Sequence, residues 1–296
     1  MTRANWHYIP GCIWHITHRC HKKEFLLKFA HDRHRFVLWL REAHKRFGVQ
    51  ILNYTATSNH VHLLVKDTGD AKSIPSAIQL VAGRTGQEYN QRKRRKGAFW
   101  EDRYHATAIE SGEHLRRCLV YIDLNMVRAG VVRHPAEWEH GGYHEIQGMR
   151  RRNTILALDA LAEAAEVDNR KALAKAHREW VEDALASEAF QQNDAWTRSL
   201  AAGSPAFVLK TQEMLGARGK GRDIAEAGGS FVLREGQKSM RPIPPSKIGL
   251  QGQIMPIYGM FSHKIQLVVL VRPYCHYHYI DLAARKWYYN GTLAKE

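Results

Sequence analysis

The chain has 296 residues, 44% of them hydrophobic, and a formal net charge of +15. That length allows one large domain or two ordinary ones, and the hydrophobic content is sufficient for a packed core. The basic excess indicates a polyanionic partner. It is concentrated in residues 1–150, which carry 24 Lys or Arg against 14 Asp or Glu.

The chain shows no pattern typical of a signal peptide or of a membrane-spanning segment. The N-terminus lacks the apolar segment of a signal peptide, and the longest apolar run, residues 267–271, is too short to cross a membrane. The four cysteines show neither a C-x-x-C motif nor the spacing of a disulfide framework. We therefore expect a reduced, cytoplasmic protein without a membrane partner.

The first predicted elements are a strand over residues 11–19 and an amphipathic helix over 30–47. Three histidines, His15, His18 and His21, lie in or beside the strand. We do not interpret them as a zinc site, because His15 and His18 fall on opposite faces of a strand and the nearby cysteines lack a zinc-ligand spacing.

A His-x-His motif opens one of the next two predicted strands. These strands cover residues 49–55 and 60–66, with a polar loop between them. His60 and His62 are two residues apart, so both imidazoles point to the same face of the second strand. Neutral imidazole is the commonest metal ligand, and two of them together begin a divalent-metal site. The spacing alone is also that of an ordinary half-buried strand.

A helix predicted from residue 73 ends in five consecutive basic residues at 92–96. Such a run is usually a solvated patch, and its pattern also allows a nuclear-localisation signal or contact with nucleic-acid phosphates. Aromatic residues follow at Phe99, Trp100 and Tyr104. They are candidates for the core or for stacking on unpaired bases, and we expect Trp100 to be part of the core.

A strand is predicted over residues 104–110, and a helix follows it and ends at Gly130. Tyr121 and Asn125 are four residues apart, which places them on one face of a continuous helix. A tyrosine can act as a nucleophile, and an amide oxygen can bind a hard cation. Two histidines on a strand, followed by a tyrosine and an amide on a helix, are the parts of a metal-assisted tyrosine nuclease.

Three segments together resemble the HUH (His, hydrophobic, His) single-tyrosine transposases, in particular the REP-associated tyrosine transposases. The segments are residues 59–65, 97–104 and 121–131, and the resemblance covers roughly residues 6–147. Each motif is weak alone, and the combination is specific. Residues 138–143 depart from the Trp-Pro-rich closing turn of that family.

The order β-α-β-β-α-β-α predicts an α+β fold of the ferredoxin-like kind. The resemblance implies the same HUH nuclease fold, an antiparallel sheet with helices on one face, here over residues 1–148. Residues 149–223 are rich in Ala, Leu and Glu with helical periodicity, so we expect a C-terminal helical appendage. Residues 224–296 form a poorly defined tail, with one possible strand at 265–271.

The resemblance implies a specific activity, which is DNA transposition through cleavage and rejoining of single-stranded hairpin DNA. Tyr121 is then the catalytic nucleophile of a 5′-phosphotyrosine intermediate, and His60, His62 and Asn125 hold Mg²⁺ or Mn²⁺. It also places His15 near the substrate. The implied partner is single-stranded DNA with palindromic hairpins, bound by a monomer or homodimer in the nucleoid. The candidate DNA-contacting residues are Arg92, Lys93, Arg94, Arg95, Lys96, Arg103, Arg116 and Arg117.

Other interpretations of the same residues remain open. The fold could hold DNA hairpins without cutting them, or a bound metal could activate water in place of Tyr121. A replication initiator or relaxase shares the HUH chemistry, although a single motif followed by Tyr-x-x-x-Asn favours a transposase. Tyr89 and Tyr104 are rival nucleophiles, but neither lies four residues before an amide on a helix.

Overall fold

The computed structural model of the chain describes residues 8–150, 152–187, 195–235, 277–281 and 286–290. Its strands are β1 Ile13–Arg19, β2 Gln50–Ala56, β3 His60–Lys66, β4 His105–Ile109, β5 Ala201–Gly203, β6 Arg222–Ala227, β7 Ser230–Glu235, β8 Tyr277–Asp281 and β9 Lys286–Asn290. Its helices are α1 Ala30–Phe47, α2 Ser73–Arg92, α3 Glu113–Asp123, α4 Asn125–Arg128, α5 Tyr143–Ile146, α6 Leu158–Ala164, α7 Arg170–Ala186, α8 Ala195–Arg198 and α9 Pro205–Met214.

The first four strands form the predicted ferredoxin-like arrangement. Their order in the sheet is β2-β3-β1-β4, and all three pairings are antiparallel. The strands and the two long helices lie within two residues of their predicted bounds. The α+β fold class predicted from the element order is therefore confirmed.

Helices cover both faces of this sheet, which corrects the expectation of helices on one face. Helices α1 and α2 cover one face of the sheet. Phe36 of α1 and Val81 of α2 belong to the same core cluster as Trp14 and Val61 of the strands. Helices α3, α6 and α7 cover the opposite face. The physical reason is that Ile13 of β1 and Leu64 of β3 lie on this second face and are buried against these helices, so the sheet needs a layer on each face.

The helix predicted to contain both Tyr121 and Asn125 is interrupted between them. Leu124, with φ −79° and ψ 6°, separates α3 from α4. Backbone hydrogen bonds continue across the break, from Leu124 N to Val120 O at 2.9 Å and from Arg128 N to Leu124 O at 2.9 Å. The prediction of one continuous helix is therefore corrected to two helices with a bend. Gly130, at φ 66°, ends the second helix as predicted.

The C-terminal segment is helical as expected, but it also enlarges the sheet. Strand β5 pairs in parallel with β4, and β7 and β6 continue the sheet beyond β5 in antiparallel order. The boundary predicted at residue 223 falls inside β6. Met1–Lys238 form one compact unit, and the domain boundary at residue 148 stays a prediction.

A second unit comprises Ser239–Glu296. Within it the structure describes β8 and β9, which form a two-stranded antiparallel sheet. The strand predicted at 265–271 lies outside the described residues. In the described part of the chain, no helix combines the length and the apolar character needed to cross a membrane.

Candidate active site

Strand β3 places His60 and His62 side by side, as the two-residue spacing predicted. Their ring centroids are 4.8 Å apart and the rings are nearly perpendicular, at 80°. Both residues lie on the same face of β3 as Leu64, which packs with α3 in the core of that side. His62 is 2% exposed. The motif therefore points toward the helix that carries Tyr121.

His62 lies in the middle of a directed chain of hydrogen bonds. Its Nε2 is 2.9 Å from Nδ2 of Asn125, and its Nδ1 is 2.9 Å from Nε2 of His15. Nδ1 of His15 is 2.8 Å from the carbonyl oxygen of Trp196. A carbonyl oxygen only accepts, so Nδ1 of His15 carries the proton and its Nε2 accepts from Nδ1–H of His62. Nε2 of His62 is thus the unprotonated nitrogen, and it accepts from the Asn125 amide.

Burial keeps these imidazoles neutral. Desolvation lowers the pKa of His15 to about 3 and the pKa of His62 well below its usual value. The same effect lowers the pKa of His60 to about 4. Nδ1 of His60 donates to Oδ1 of Asn59 at 2.7 Å, which leaves its Nε2 unprotonated as well. Both histidines of the motif therefore have the tautomer in which Nε2 can ligate a metal ion.

The residues present suit a divalent cation with mixed nitrogen and oxygen ligands. The described residues hold no group of three or more His, Cys, Asp or Glu suited to a metal. The candidate ligands that lie together are the imidazoles of His60 and His62 and the amide of Asn125. A half-turn of the Asn125 amide would turn its oxygen, in place of its nitrogen, toward the space beside His62. Imidazole ligands suit Mn²⁺ better than Mg²⁺, which prefers an all-oxygen shell.

Tyr121 stands beside this cluster. Its ring is edge-on to the rings of His62 and His15, with centroids 5.9 Å and 6.1 Å away. The residue is 9% exposed, so its position is set by packing in the core under α3. Of the residues predicted for the site, the structure thus brings together Tyr121, His60, His62 and Asn125.

Arg128 is a member of the site that sequence reasoning missed. Its guanidinium carbon lies 4.0 Å from the centre of the Tyr121 ring, and its Nη2 donates to the Tyr121 carbonyl oxygen at 2.7 Å. Its Nη1 is buried without a hydrogen-bond partner. The available signal was its spacing, because a residue seven positions after Tyr121 lies two helical turns away on the same face.

A second buried network fixes the far side of the same helix. Oδ2 of Asp123 is 2.8 Å from Nε2 of His177, and Oδ1 accepts from the Asn53 amide at 3.0 Å. Asp123 and His177 are both buried, and Gln147 lies 2.9 Å from Nδ1 of His177. This network joins α7 to the end of α3, two residues after Tyr121, so the C-terminal segment helps to hold the tyrosine in place.

The rival tyrosines occupy other surroundings. The ring of Tyr89 packs against Phe99, with centroids 5.0 Å apart. The ring of Tyr104 lies near His18, at 6.4 Å, and burial raises the pKa of Tyr104 to about 12. Of these three candidates, Tyr121 is the one whose ring contacts the His-x-His motif.

The aromatic residues considered for base stacking are buried in the core or packed against it. Phe99 is buried. Trp100 stacks on His18, with centroids 4.2 Å apart, and its Nε1 donates to Ala82 O at 2.9 Å. The structure thus favours the core role that we expected for Trp100, and it leaves Phe99 no access to bases.

The predicted DNA-contacting residues divide into two surfaces. At the end of α2, Lys93, Arg94 and Lys96 are exposed, whereas Arg92 pairs with Asp32. Arg103 is also exposed, and Arg95 donates to Ala98 O at 2.8 Å.

The two basic residues of α3 are engaged with the C-terminal segment. Arg116 pairs with Glu166 at 3.0 Å, and Arg117 donates to Gly229 O at 2.7 Å. They therefore connect α3 to the C-terminal segment, and their contact with DNA stays a prediction.

The part of the chain that holds this cluster of histidines, tyrosine and amide is similar to a known protein family. Residues 8–125 match the family described as "Transposase IS200 like". That segment runs from before β1 to Asn125, so it contains His15, His60, His62, Tyr121 and Asn125. Over these residues the chain is similar to IS200-like transposases, which agrees with the resemblance to the single-tyrosine transposases.

Two solved structures are similar to parts of the chain. One is a REP-associated tyrosine transposase bound to a REP hairpin. It is 16% identical, with a TM-score of 0.43, over 52% of this chain and 91% of that chain. The other is a candidate transposase from Deinococcus radiodurans R1, also 16% identical, with a TM-score of 0.29, over 40% of this chain and 92% of that chain. No curated protein matches the chain.

Proposed function

We propose that this protein is a transposase that cleaves and rejoins single-stranded DNA at palindromic hairpins through a covalent 5′-phosphotyrosine on Tyr121. The observation that carries the proposal is the contact between Tyr121 and the His-x-His motif, with the rings of Tyr121 and His62 centred 5.9 Å apart. The nucleophile and the groups that hold a cation for the phosphate thus belong to one cluster. The hairpin substrate follows from the resemblance to the REP-associated branch.

The residues that would hold the cation are His60, His62 and Asn125. Mg²⁺ or Mn²⁺ bound by them would act as a Lewis acid on the scissile phosphate. The protein's contribution is to present two unprotonated Nε2 atoms, fixed in this tautomer by Asn59 and His15. His15 is therefore a positioning residue for His62.

Tyr121 performs the covalent step. Its Oη attacks phosphorus, a bond from Oη to phosphorus forms, and the bond from phosphorus to the 3′ oxygen breaks. The upstream fragment leaves with a free 3′-OH, which takes up a proton equivalent to the one lost by the phenol. Attack by a 3′-OH on the phosphotyrosine reverses the reaction, so the strand can be rejoined without another energy source.

Arg128 assists Tyr121 in two ways. A free tyrosine has a pKa of about 10, so the phenolate that attacks phosphorus needs stabilisation at neutral pH. The guanidinium stacked on the ring supplies a positive charge next to it. The unpartnered Nη1 can donate to a non-bridging phosphate oxygen, since a charged donor aimed at a phosphate stabilises the developing charge.

The exposed basic residues Lys93, Arg94, Lys96 and Arg103 would contact the phosphates of the substrate. Phosphate neutralisation supplies most of the sequence-independent affinity for nucleic acid. A protein with this partner is expected in the cytoplasm at the nucleoid, as a monomer or a homodimer.

The test is an adduct assay. A single-stranded hairpin oligonucleotide labelled at its 3′ end is incubated with the protein and Mn²⁺ and analysed on a denaturing gel. We expect a labelled protein band, because the 3′ fragment stays attached through its 5′ phosphate. The band should vanish in Tyr121→Phe and His60→Ala and persist in Tyr104→Phe, the matched control. Cleavage without a band would instead indicate activated water, and hairpin retention without cleavage would indicate a binding protein.

A further inference from the structure

The loop over residues 21–29 exposes two aromatic rings. Phe25 is 64% exposed and Phe29 is 55% exposed, and they are the two aromatic residues among the large, exposed hydrophobic side chains of the described chain. Full burial of a phenylalanine side chain stabilises a protein by roughly 1.5–3 kcal/mol relative to exposure. Two solvent-exposed aromatic rings in one short loop therefore suggest a ligand that covers them.

The loop is anchored so that these rings cannot fold inward. Leu26 and Leu27 between them are buried. Leu27 N donates to Ser58 O at 2.9 Å, and Nη1 of Arg33 donates to the carbonyl oxygens of Leu27 and Lys28 at 2.8 Å and 2.6 Å. Because the leucines fill the core positions, Phe25 and Phe29 are held on the outer side of the loop.

Positive charge surrounds the two rings. Lys22, Lys23 and Lys28 are exposed, and Nζ of Lys93 lies 5.2 Å from the centre of the Phe29 ring. The acidic residue of the loop, Glu24, lies 3.6 Å from Arg95, so its charge is offset.

The two lysines that open the loop also have an unusual backbone. Lys22 and Lys23 adopt positive φ angles of 51° and 59°. Side chains other than glycine seldom adopt this conformation, and its presence at consecutive residues is typical of functional loops.

The loop connects the candidate active site to the basic end of α2. Nδ2 of Asn59 donates to Lys23 O at 3.3 Å, and Oδ1 of the same amide accepts from His60. At the other end of the loop, Lys93 above Phe29 begins the exposed basic residues. A strand leading away from His60 along this surface would meet lysines and aromatic rings in turn.

We propose that Phe25 and Phe29 form a stacking platform for unpaired bases of single-stranded DNA, flanked by Lys22, Lys23 and Lys28 on its phosphates. The proposal rests on the proposed function, because it assigns the path of that substrate. Flat rings stack on every base, and flanking cations match a polyanion. A second copy of the chain fits less well, since it would bring like charges together.

The test measures binding apart from cleavage. Fluorescence anisotropy is recorded with a labelled mixed-sequence single strand, in EDTA, using the full chain with Tyr121→Phe. Adding Phe25→Ala and Phe29→Ala together should weaken binding about 10- to 100-fold, because each stacked base contributes a factor of about 5 to 150. Replacing both with Trp should retain affinity. The matched control is Leu209→Ala with Met214→Ala, which removes exposed hydrophobic side chains from α9 and should change binding less than about twofold.

An abasic single strand of the same length separates stacking from charge. The variant with Phe25→Ala and Phe29→Ala should bind the abasic strand as tightly as the Tyr121→Phe protein from which it is made. Lys22→Ala with Lys23→Ala should instead weaken binding to both the intact and the abasic strand. The proposal would be overturned if the variant with Phe25→Ala and Phe29→Ala bound the intact strand as tightly as the Tyr121→Phe protein does. An equal loss on the abasic strand would also overturn it, as would a change from dimer to monomer without a change in DNA binding. A negative adduct assay would not affect these outcomes, so failure of the proposed chemistry is distinguishable.

Discussion

The imidazoles of His15 and His62 lie nearly parallel, at 9°, with Nε2 of His15 2.9 Å from Nδ1 of His62. His15 is in turn held by the carbonyl oxygen of Trp196. His15, on the neighbouring strand, and the carbonyl group of Trp196 therefore fix the orientation of the His62 ring and of the lone pair on its Nε2. An outer partner of this kind fixes the tautomer and orientation of a ligand and commonly changes metal affinity by about 10- to 100-fold.

Removal of that partner should weaken metal binding without unfolding the site. We expect His15→Ala to reduce Mn²⁺ affinity by about 10-fold or more, measured by titration calorimetry or by the electron paramagnetic resonance signal of free Mn²⁺. His31→Ala, at an exposed position on α1, is the matched control. Unchanged Mn²⁺ affinity in His15→Ala, with an intact circular dichroism spectrum, would show that His15 has a packing role only.

Substitution of Arg128 should slow the chemical step. We expect Arg128→Gln to lower the rate of adduct formation by roughly 100- to 1,000-fold at saturating DNA, the usual loss when a charged donor to the developing oxyanion is removed. Arg128→Lys should recover part of this rate, since it keeps the charge but loses the planar fork. The measurement is single-turnover adduct formation as a function of pH.

The control for Arg128 is Arg133→Gln, which removes a nearby exposed arginine. A rate within about threefold of the parent protein in Arg128→Gln would contradict the role assigned from its stacking on Tyr121, since loss of a catalytic donor costs about 100-fold.

The buried pair of Asp123 and His177 should stabilise the fold. His177→Ala leaves the Asp123 carboxylate buried with the Asn53 amide as its remaining partner. We expect the free energy of unfolding to fall by about 3 kcal/mol, the usual cost of breaking a buried pair from one side. Urea denaturation of both single variants and the double variant gives the coupling energy. If the double variant lost as much unfolding free energy as the sum of the losses in His177→Ala and Asp123→Asn, the two residues would not be coupled and the network would be excluded.

Stability should decrease in mild acid because buried histidines are neutral in the folded chain. Burial lowers the pKa of His18 and of His140 from the usual 6.5 to about 4. Between these two values the unfolded chain binds more protons than the folded chain. The contribution of these neutral histidines to the free energy of unfolding is therefore fully present above pH 6.5. It is lost progressively as the pH falls toward 4.

Thermal unfolding followed between neutral pH and pH 4 tests this prediction. The melting temperature should fall through that window, and His18→Gln should have a smaller fall than the parent protein, because it removes one titrating group. Proton NMR of the His18 ring should give a midpoint near 4. A midpoint near the usual 6.5 would contradict the buried, neutral state.

Several features could be predicted because they depend on neighbours in the chain. The two-residue period of β3 determines that His60 and His62 share a face, and the apolar stripe of α1 and Gly48 after it determine its bounds. Gly130 ends α4 for the same local reason. The element order was sufficient to predict the four-stranded core, because short connections allow few arrangements of strands and helices.

Interactions between distant residues could not be predicted in this way. The hydrogen bond from His15 to Trp196 spans 181 positions, and the one from Asp123 to His177 spans 54. No spacing rule relates such residues, since their partners depend on how the helices of the C-terminal segment pack against the sheet. The addition of β5, β7 and β6 to the sheet could not be predicted for the same reason. The edge that a short strand joins depends on where the preceding helices place it.

The amino-acid sequence by itself thus predicted the histidine pair of β3, the tyrosine and amide that follow it, and the family that residues 8–125 resemble. The tertiary structure decided that helices cover both faces of the sheet and that Leu124 divides the predicted helix. It also decided that His15 and Arg128 complete the site. The physical reason is that periodicity is set by local backbone geometry, whereas the partner of a buried polar group is set by the packing of the whole fold.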